Sequence, residues 1–272
     1  MLVLALDTTS EKGGVAIYRD SECLATVENR GPANIYSISL FQMVAEALEG
    51  AGIRPAQTGG TAMRPTAQGA VVHPIADEAP LASLSAMDLF AVANGPGSFT
   101  GIRVGTAAVQ AWARAFGRPV RGVSVLEAMV EEASPNSGWA VPLLDARRGE
   151  FFLGCFRRAE PDGAQQGARQ AGVYQSEDEG WVLRPGDLQN FLRERLTEGA
   201  GVMCLVRESD RAALALRASL PKSYAWQTVA GTLLRAIARL GLKAHQKGIT
   251  QEPADLRACY IRRPEAELNW RE

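Results

Sequence analysis

Apolar positions follow two rhythms along the chain. Leu2-Val-Leu-Ala-Leu-Asp7 is continuously apolar up to its closing carboxylate, the pattern of a strand covered on both faces. Gly13–Tyr18 and Cys23–Val27 follow at hairpin spacing, so the first three elements read as an antiparallel meander that starts from a central strand. Residues 35–51 then carry the longer period of a helix. Asp88–Ala93 resumes as a buried strand, and Gly95-Pro-Gly-Ser-Phe-Thr-Gly101 turns it into a second long helix ending at Phe116. Between these, residues 55–84 hold no period and are rich in Pro, Gly, Thr, Ala and Gln, which predicts an inserted mobile loop.

The second half repeats the alternation. Val120–Val123 is a short strand, and Ser124 is placed to cap a helix running to Ala133. Ala140–Leu144 and Phe151–Phe156 are strands on either side of the turn Asp145-Ala-Arg-Arg-Gly-Glu150, where Gly149 can take positive φ. Residues 159–180 read as a surface excursion, followed by a helix at Pro185–Leu196, a strand at Val202–Val206 and a helix at Trp226–Ala244. Alternating strands and helices with an early meander predict an α/β protein of two lobes. The expected division is 1–117 for the N-terminal lobe and 118–224 for the C-terminal lobe, with 225–272 as a helix and tail packing on both.

Composition narrows the class. The apolar content of 46% and a net charge of −1 exclude a disordered chain, and the balanced charge argues against autonomous nucleic-acid binding. No apolar run approaches the ~20 residues of a membrane helix, and the first segment meets Asp7 too early for a secretory signal, so a soluble cytoplasmic protein is expected. Cys23, Cys155, Cys204 and Cys259 are scattered, which favours free thiols over a disulfide framework. With only His73 and His245 besides, no metal centre and no nucleophile–base pair can be assembled.

Two anion-binding candidates remain. Asp7-Thr8-Thr9 closes the first buried strand, at the end where ligands bind in α/β folds, and hydroxyls with free N–H groups there can hold phosphate. Its plain alternative is a Ser/Thr turn that ends the strand. The second is the glycine loop, with Gly95, Gly97, Ser98 and Thr100 before a helix N-terminus and Arg103 in its first turn. This loop lacks the Walker lysine and the dinucleotide spacing, and its glycines can equally serve close packing.

The helices carry the stronger message. In residues 35–51 the polar stripe Ser39, Gln42, Glu46, Glu49 separates two apolar sides. One holds Ile35, Ile38, Phe41, Ala45 and Leu48; the other holds Tyr36, Leu40, Met43 and Ala47. Residues 102–116 repeat this, with Val104, Ala108, Ala111 and Ala115 on one side and Ile102, Val109, Ala113 and Phe116 on the other. A helix on a sheet needs one apolar stripe, so a second stripe must be covered by other parts of the chain or by another subunit. Tyr36, Leu40, Met43, Ala47, Ile102, Val109, Ala113 and Phe116 are the expected partner-facing set.

Taken together, LALDTTSEKGGVAI, ANGPGSFTGIRVGTAAVQAWA, GVSVLEAM at 122–129, LLDARRGEFF at 143–152 and YIRRPEAELNW at 260–270 resemble the TsaB (YeaZ) family. The resemblance implies the two-lobed fold of the actin/Hsp70/sugar-kinase superfamily, built on ribonuclease H-like motifs, with Asp7–Thr9 in the place of the first phosphate loop. It also implies a non-catalytic subunit of the system that forms threonylcarbamoyladenosine at position 37 of tRNA. Such a subunit pairs with TsaD, works with the ATPase TsaE, forms a homodimer when alone and meets tRNA only within the complex. No cofactor is expected in the isolated subunit, and ATP or ADP would belong to an interface of the complex. The first loop lacks the glycine of ATP-using relatives, and Asn34-Ile-Tyr-Ser37 stands where many relatives carry a His-Ser pair. A small ATPase or sugar kinase of the same superfamily is the alternative, and a peptidase a weaker one.

Overall fold

The computed structural model describes residues 1–29, 36–54, 81–159, 174–176, 179–196, 201–229 and 231–262. Most of the expected insertion at 55–84 and of the excursion at 159–180 lies outside these residues. The first sheet contains β1 (Leu2–Asp7), β2 (Gly14–Arg19), β3 (Glu22–Glu28), β4 (Leu89–Gly95) and β5 (Val120–Ser124), in the order β3-β2-β1-β4-β5. The meander β1–β2–β3 is antiparallel, while β1, β4 and β5 run parallel.

The second sheet is centred on β6 (Trp139–Asp145), with β7 (Phe151–Leu153), β10 (Trp181–Leu183), β11 (Val202–Arg207) and β12 (Ala225–Val229) in the order β10-β7-β6-β11-β12. Two short strands, β8 (Phe156–Arg158) and β9 (Tyr174–Ser176), extend it beside β6. Its pairings are antiparallel for β10–β7–β6 and parallel for β6–β11–β12. The two sheets therefore repeat one topology, so the second lobe is a structural copy of the first. This is the two-lobed arrangement expected from the sequence.

Among the described residues six α-helices cover the sheets: α1 (Tyr36–Gly50), α2 (Phe99–Phe116), α3 (Val125–Ala133), α4 (Pro185–Arg195), α5 (Arg211–Ala215) and α6 (Leu234–Gln246). Strand alternation explains the layering. In β1, Leu4 and Leu6 face α1 and α2, while Val3 and Ala5 face a middle layer built from α3 and α6. That middle layer also receives Ala140, Leu144 and Leu205 of the second sheet, whose outer face packs on α4 and α5. The segment read as one helix from Trp226 is instead β12 followed by α6, because Ala225–Val229 pairs in register with β11. β9, β10 and α5 were not foreseen; each is five residues or fewer, too short for a period to show.

The expected partner-facing residues require a correction. Tyr36, Leu40, Met43, Ala47, Ile102, Val109 and Ala113 are buried within this chain, and Phe116 is half-buried against the same cluster. They form the inner side of α1 and α2 against the first sheet. Val44 and Leu48 widen the α1 side into a broad stripe, as a sheet-covering helix requires. The opposite side is the bare one. Ile38 is 79% and Phe41 49% exposed, and on α2 Ala107, Ala111 and Ala115 are exposed with Val104 and Ala108 half-buried. Phe41 meets the edge of Trp112 with ring centroids 6.0 Å apart, which joins the two helices at this surface.

Candidate functional site

Asp7, Thr8 and Thr9 are buried where β1 ends. The Asp7 carboxylate accepts from the Thr9 backbone N–H at 2.9 Å and the Thr9 hydroxyl at 2.6 Å, an Asx-type turn that stops the strand. The glycine loop packs directly against this turn. Thr8 Oγ1 donates to the Gly101 carbonyl at 2.6 Å, and the Ser98 backbone N–H donates to the Thr9 carbonyl at 2.7 Å. A Cβ on Gly101 would sit 1.9 Å from the Thr8 carbonyl oxygen, and one on Gly97 2.6 Å from that of Thr9. These glycines serve close backbone approach, the packing alternative left open by the sequence.

Ser98 begins α2 and accepts from the Gly101 N–H at 3.3 Å, an N-cap. Gly95 lies beneath the C-terminal segment, where a Cβ would meet the Cys259 carbonyl at 2.3 Å. Thr100 is exposed. Arg103 is also exposed and engages that same segment, donating from Nε to the Tyr260 hydroxyl at 3.0 Å.

The residue that sequence reasoning missed is Arg207, at the end of β11 in the other lobe. Only 4% exposed, it sets Nη2 3.3 Å from Asp7 Oδ2 and donates from Nη1 to Ser10 Oγ at 2.7 Å. Nη1 also reaches the Gly231 carbonyl at 3.4 Å. The position was visible as a strand end, but nothing in the sequence ties it to Asp7. Tyr36 closes the turn from α1, donating to the Ser10 carbonyl at 2.7 Å and accepting from the Gly13 N–H at 3.1 Å. Burial pushes its phenol far above the usual tyrosine range, with the Asp7 charge adding to the effect, so it acts here as a neutral hydroxyl.

These residues do not fit a nucleotide phosphate. The Thr8 hydroxyl is engaged by the Gly101 carbonyl and that of Thr9 by the Asp7 carboxylate, the charged side chain of the turn itself is an anion, and the facing cation is already paired with it. A separate cavity of about 630 Å³ is lined by Glu11, Glu28 and Glu46 with Lys12, a carboxylate excess that disfavours anions as well. Among the described residues no group of three His, Cys, Asp or Glu gathers to hold a metal ion, and no helix is long and apolar enough to cross a membrane.

The duplicated sheet order, with an Asp-Thr-Thr turn at the end of the first central strand, defines a protein of the actin/sugar-kinase-like fold class. Residues 70–165 match the family model described as TsaD: tRNA N6-adenosine threonylcarbamoyltransferase. The chain is 36% identical over 66 residues to the tRNA threonylcarbamoyladenosine biosynthesis protein TsaB of Bacillus subtilis, covering 24% of this chain and 29% of that protein. It is 31% identical over 121 residues to the protein of the same name from Escherichia coli, covering 44% and 46%. The solved structure of YeaZ from Pseudomonas aeruginosa superposes with a TM-score of 0.64 at 22% identity, covering 95% of this chain and 99% of that one. In these stretches of sequence and in its fold the chain is similar to the TsaB and YeaZ proteins. The matched stretches span less than half the length of the two curated relatives.

Proposed function

We propose that this chain takes part in tRNA threonylcarbamoyladenosine biosynthesis as a pairing subunit that performs no chemistry of its own. The observation that carries the reading is the bare apolar surface on α1 and α2. Ile38 and Phe41 stand out in solvent beside the small residues Ala107 and Ala111, a flat face on which another helix pair can rest closely. The partner proposed is TsaD, with TsaE joining the assembly, and a second copy of this chain takes the surface when TsaD is absent. Contact with tRNA takes place in the assembled complex, in the cytoplasm.

The absence of catalysis draws support from Asp7. In the phosphate-loop position a carboxylate would have to hold a metal-bound phosphate, yet here it is paired with Arg207 and turned onto Thr9. The isolated chain is accordingly proposed to bind no nucleotide, and any ATP or ADP belongs to an interface of the complex.

Co-expression with TsaD and size-exclusion chromatography with light scattering tests the reading. A complex that contains both chains and restores threonylcarbamoyladenosine in a strain lacking its own TsaB is expected. Failure to co-elute, with a chain that is folded and monomeric at all concentrations, contradicts it.

A further inference from the structure

The C-terminal segment Leu256–Arg262 crosses from one lobe to the other. At its start the Cys259 N–H donates to the Asn94 carbonyl at the end of β4, and Tyr260 joins Arg103 of α2. Two residues on, Arg262 sets Nη2 2.5 Å from Glu150 Oε2, next to the turn between β6 and β7. Two residues of chain span at most about 7 Å, so the N-terminus of α2 and the β6–β7 turn share one surface.

That surface combines guanidinium groups with open aromatic rings. Arg103 lies 3.8 Å over the Phe99 ring and hydrogen-bonds the Tyr260 hydroxyl, and the Phe99 and Tyr260 rings are 5.3 Å apart. Phe99 is 53% and Tyr260 43% exposed. The contacts of Arg103 are to neutral groups, and among the described residues no carboxylate forms an ion pair with it. Its charge therefore remains available at a rigid, pre-stacked position.

The β6–β7 turn adds a second feature. Arg147 and Arg148 have φ of 62° and 58°, followed by Gly149 at 73°, so three successive residues are left-handed. The backbone closes around them, with the Ala146 N–H donating to the Glu150 carbonyl at 2.9 Å and the Asp145 carboxylate accepting from the Arg147 N–H at 2.7 Å. A side chain with a Cβ disfavours this conformation, yet two exposed arginines occupy it. Glu150 is shared between Arg262 and, at 3.9 Å, Arg184.

We infer that Arg147 and Arg148, with the Phe99–Arg103–Tyr260 stack, form a contact surface for a looped, single-stranded stretch of RNA. The turn arginines meet backbone phosphates, and the open part of the Tyr260 ring receives an unpaired base. The inference rests on the tRNA-modification reading and adds to it the face of this chain that meets the nucleic acid. It also explains how a chain of net charge −1 can touch RNA: the cations are local, and the contact holds at physiological salt only when the partner adds its own.

The test uses the full chain and two fluorescent probes, a short hairpin RNA with a single-stranded loop and the same stem as a blunt duplex. Anisotropy titrations run from about 25 to about 200 mM salt. The unmodified chain is expected to bind the hairpin more tightly than the duplex at low salt. Arg147→Gln with Arg148→Gln should weaken hairpin binding about tenfold and lower the salt slope by about 1.5, and the double lysine variant should retain the slope. Tyr260→Leu should lose about fivefold on the hairpin and nothing on the duplex. No binding by the unmodified chain, or equal affinity and slope in the double glutamine variant, overturns the inference. So does a variant that loses a protein partner while binding RNA as before, since the patch would then be a protein-docking site. Co-elution with TsaD is read in parallel. If it persists while the RNA result is negative, only the surface assignment falls; if it is absent in the unmodified chain, the pairing reading falls instead.

Discussion

Asp7 and Arg207, 200 residues apart in sequence, meet at 3.3 Å with 0% and 4% of their side chains exposed, and tie β1 of the first sheet to β11 of the second. A buried pair of this kind is weak evidence of net stabilisation, but removing one partner leaves a bare charge in the interior. Arg207→Met should therefore lower the unfolding free energy by about 3–5 kcal/mol, read by urea denaturation with tryptophan fluorescence. Adding Asp7→Asn should return a large part of that loss. A single variant as stable as the unmodified chain would show that the pair does not hold the lobes.

The glycine loop makes a second, sharper demand. Gly101→Ala places a methyl group 1.9 Å from the Thr8 carbonyl oxygen, a contact that only backbone movement can relieve. A loss of about 3 kcal/mol or more is expected, at the upper end of overpacking costs. Gly186→Ala, where a Cβ has nothing within 4 Å, is the control and should change stability little. Equal thermal midpoints for the two variants would contradict the packing role.

How far the fold could be read follows from these same elements. β1 to β5, α1 to α4 and the β6–β7 turn were legible because each carries an apolar period, a continuous apolar run or a glycine punctuation. Arg207 was not, because a long-range ion pair leaves no local pattern. The two sides of α1 were legible as apolar but assigned the wrong way round. The signal that decides is width: Val44 and Leu48 join Leu40, Met43 and Ala47 in a stripe about two residues broad per turn, while Ile38 and Phe41 stand in a narrow one. In the glycine loop, spacing alone could not separate anion binding from backbone packing, since both need residues without a Cβ.

Glu127 supplies a pH prediction. Burial raises its pKa, and the nearby Arg121 at 3.7 Å only partly offsets this. A carboxyl raised above its unfolded value binds more protons when folded, so it makes stability fall as pH rises from the ordinary carboxylate range through the raised value. Glu127→Gln should therefore be more stable than the unmodified chain at pH 7, with the advantage gone near pH 4. Denaturation curves at the two pH values check this, and a glutamine variant less stable at pH 7 would contradict it.

Thiol chemistry separates the lobes' interior from the first sheet's edge. Cys204 is fully buried and its pKa is pushed up to about 12 by that burial, with Cys155 beside it, whereas Cys23 is exposed. A thiol reagent should modify Cys23 in the native protein and reach Cys155 and Cys204 only after denaturation. Rapid native labelling of Cys204 would mean that the second sheet opens far more readily than its packing indicates.

The proposed pairing face is the outer side of α1 and α2. The direct measurement is sedimentation velocity of the chain mixed with TsaD, comparing Ile38→Glu/Phe41→Glu with Leu40→Glu. The outer pair should leave the chain folded by circular dichroism while the heterodimer boundary disappears. Leu40→Glu, which places a charge in the core, should instead unfold the chain at a cost of several kcal/mol. A folded Ile38→Glu/Phe41→Glu chain that still sediments with TsaD as the unmodified chain does would contradict the claim.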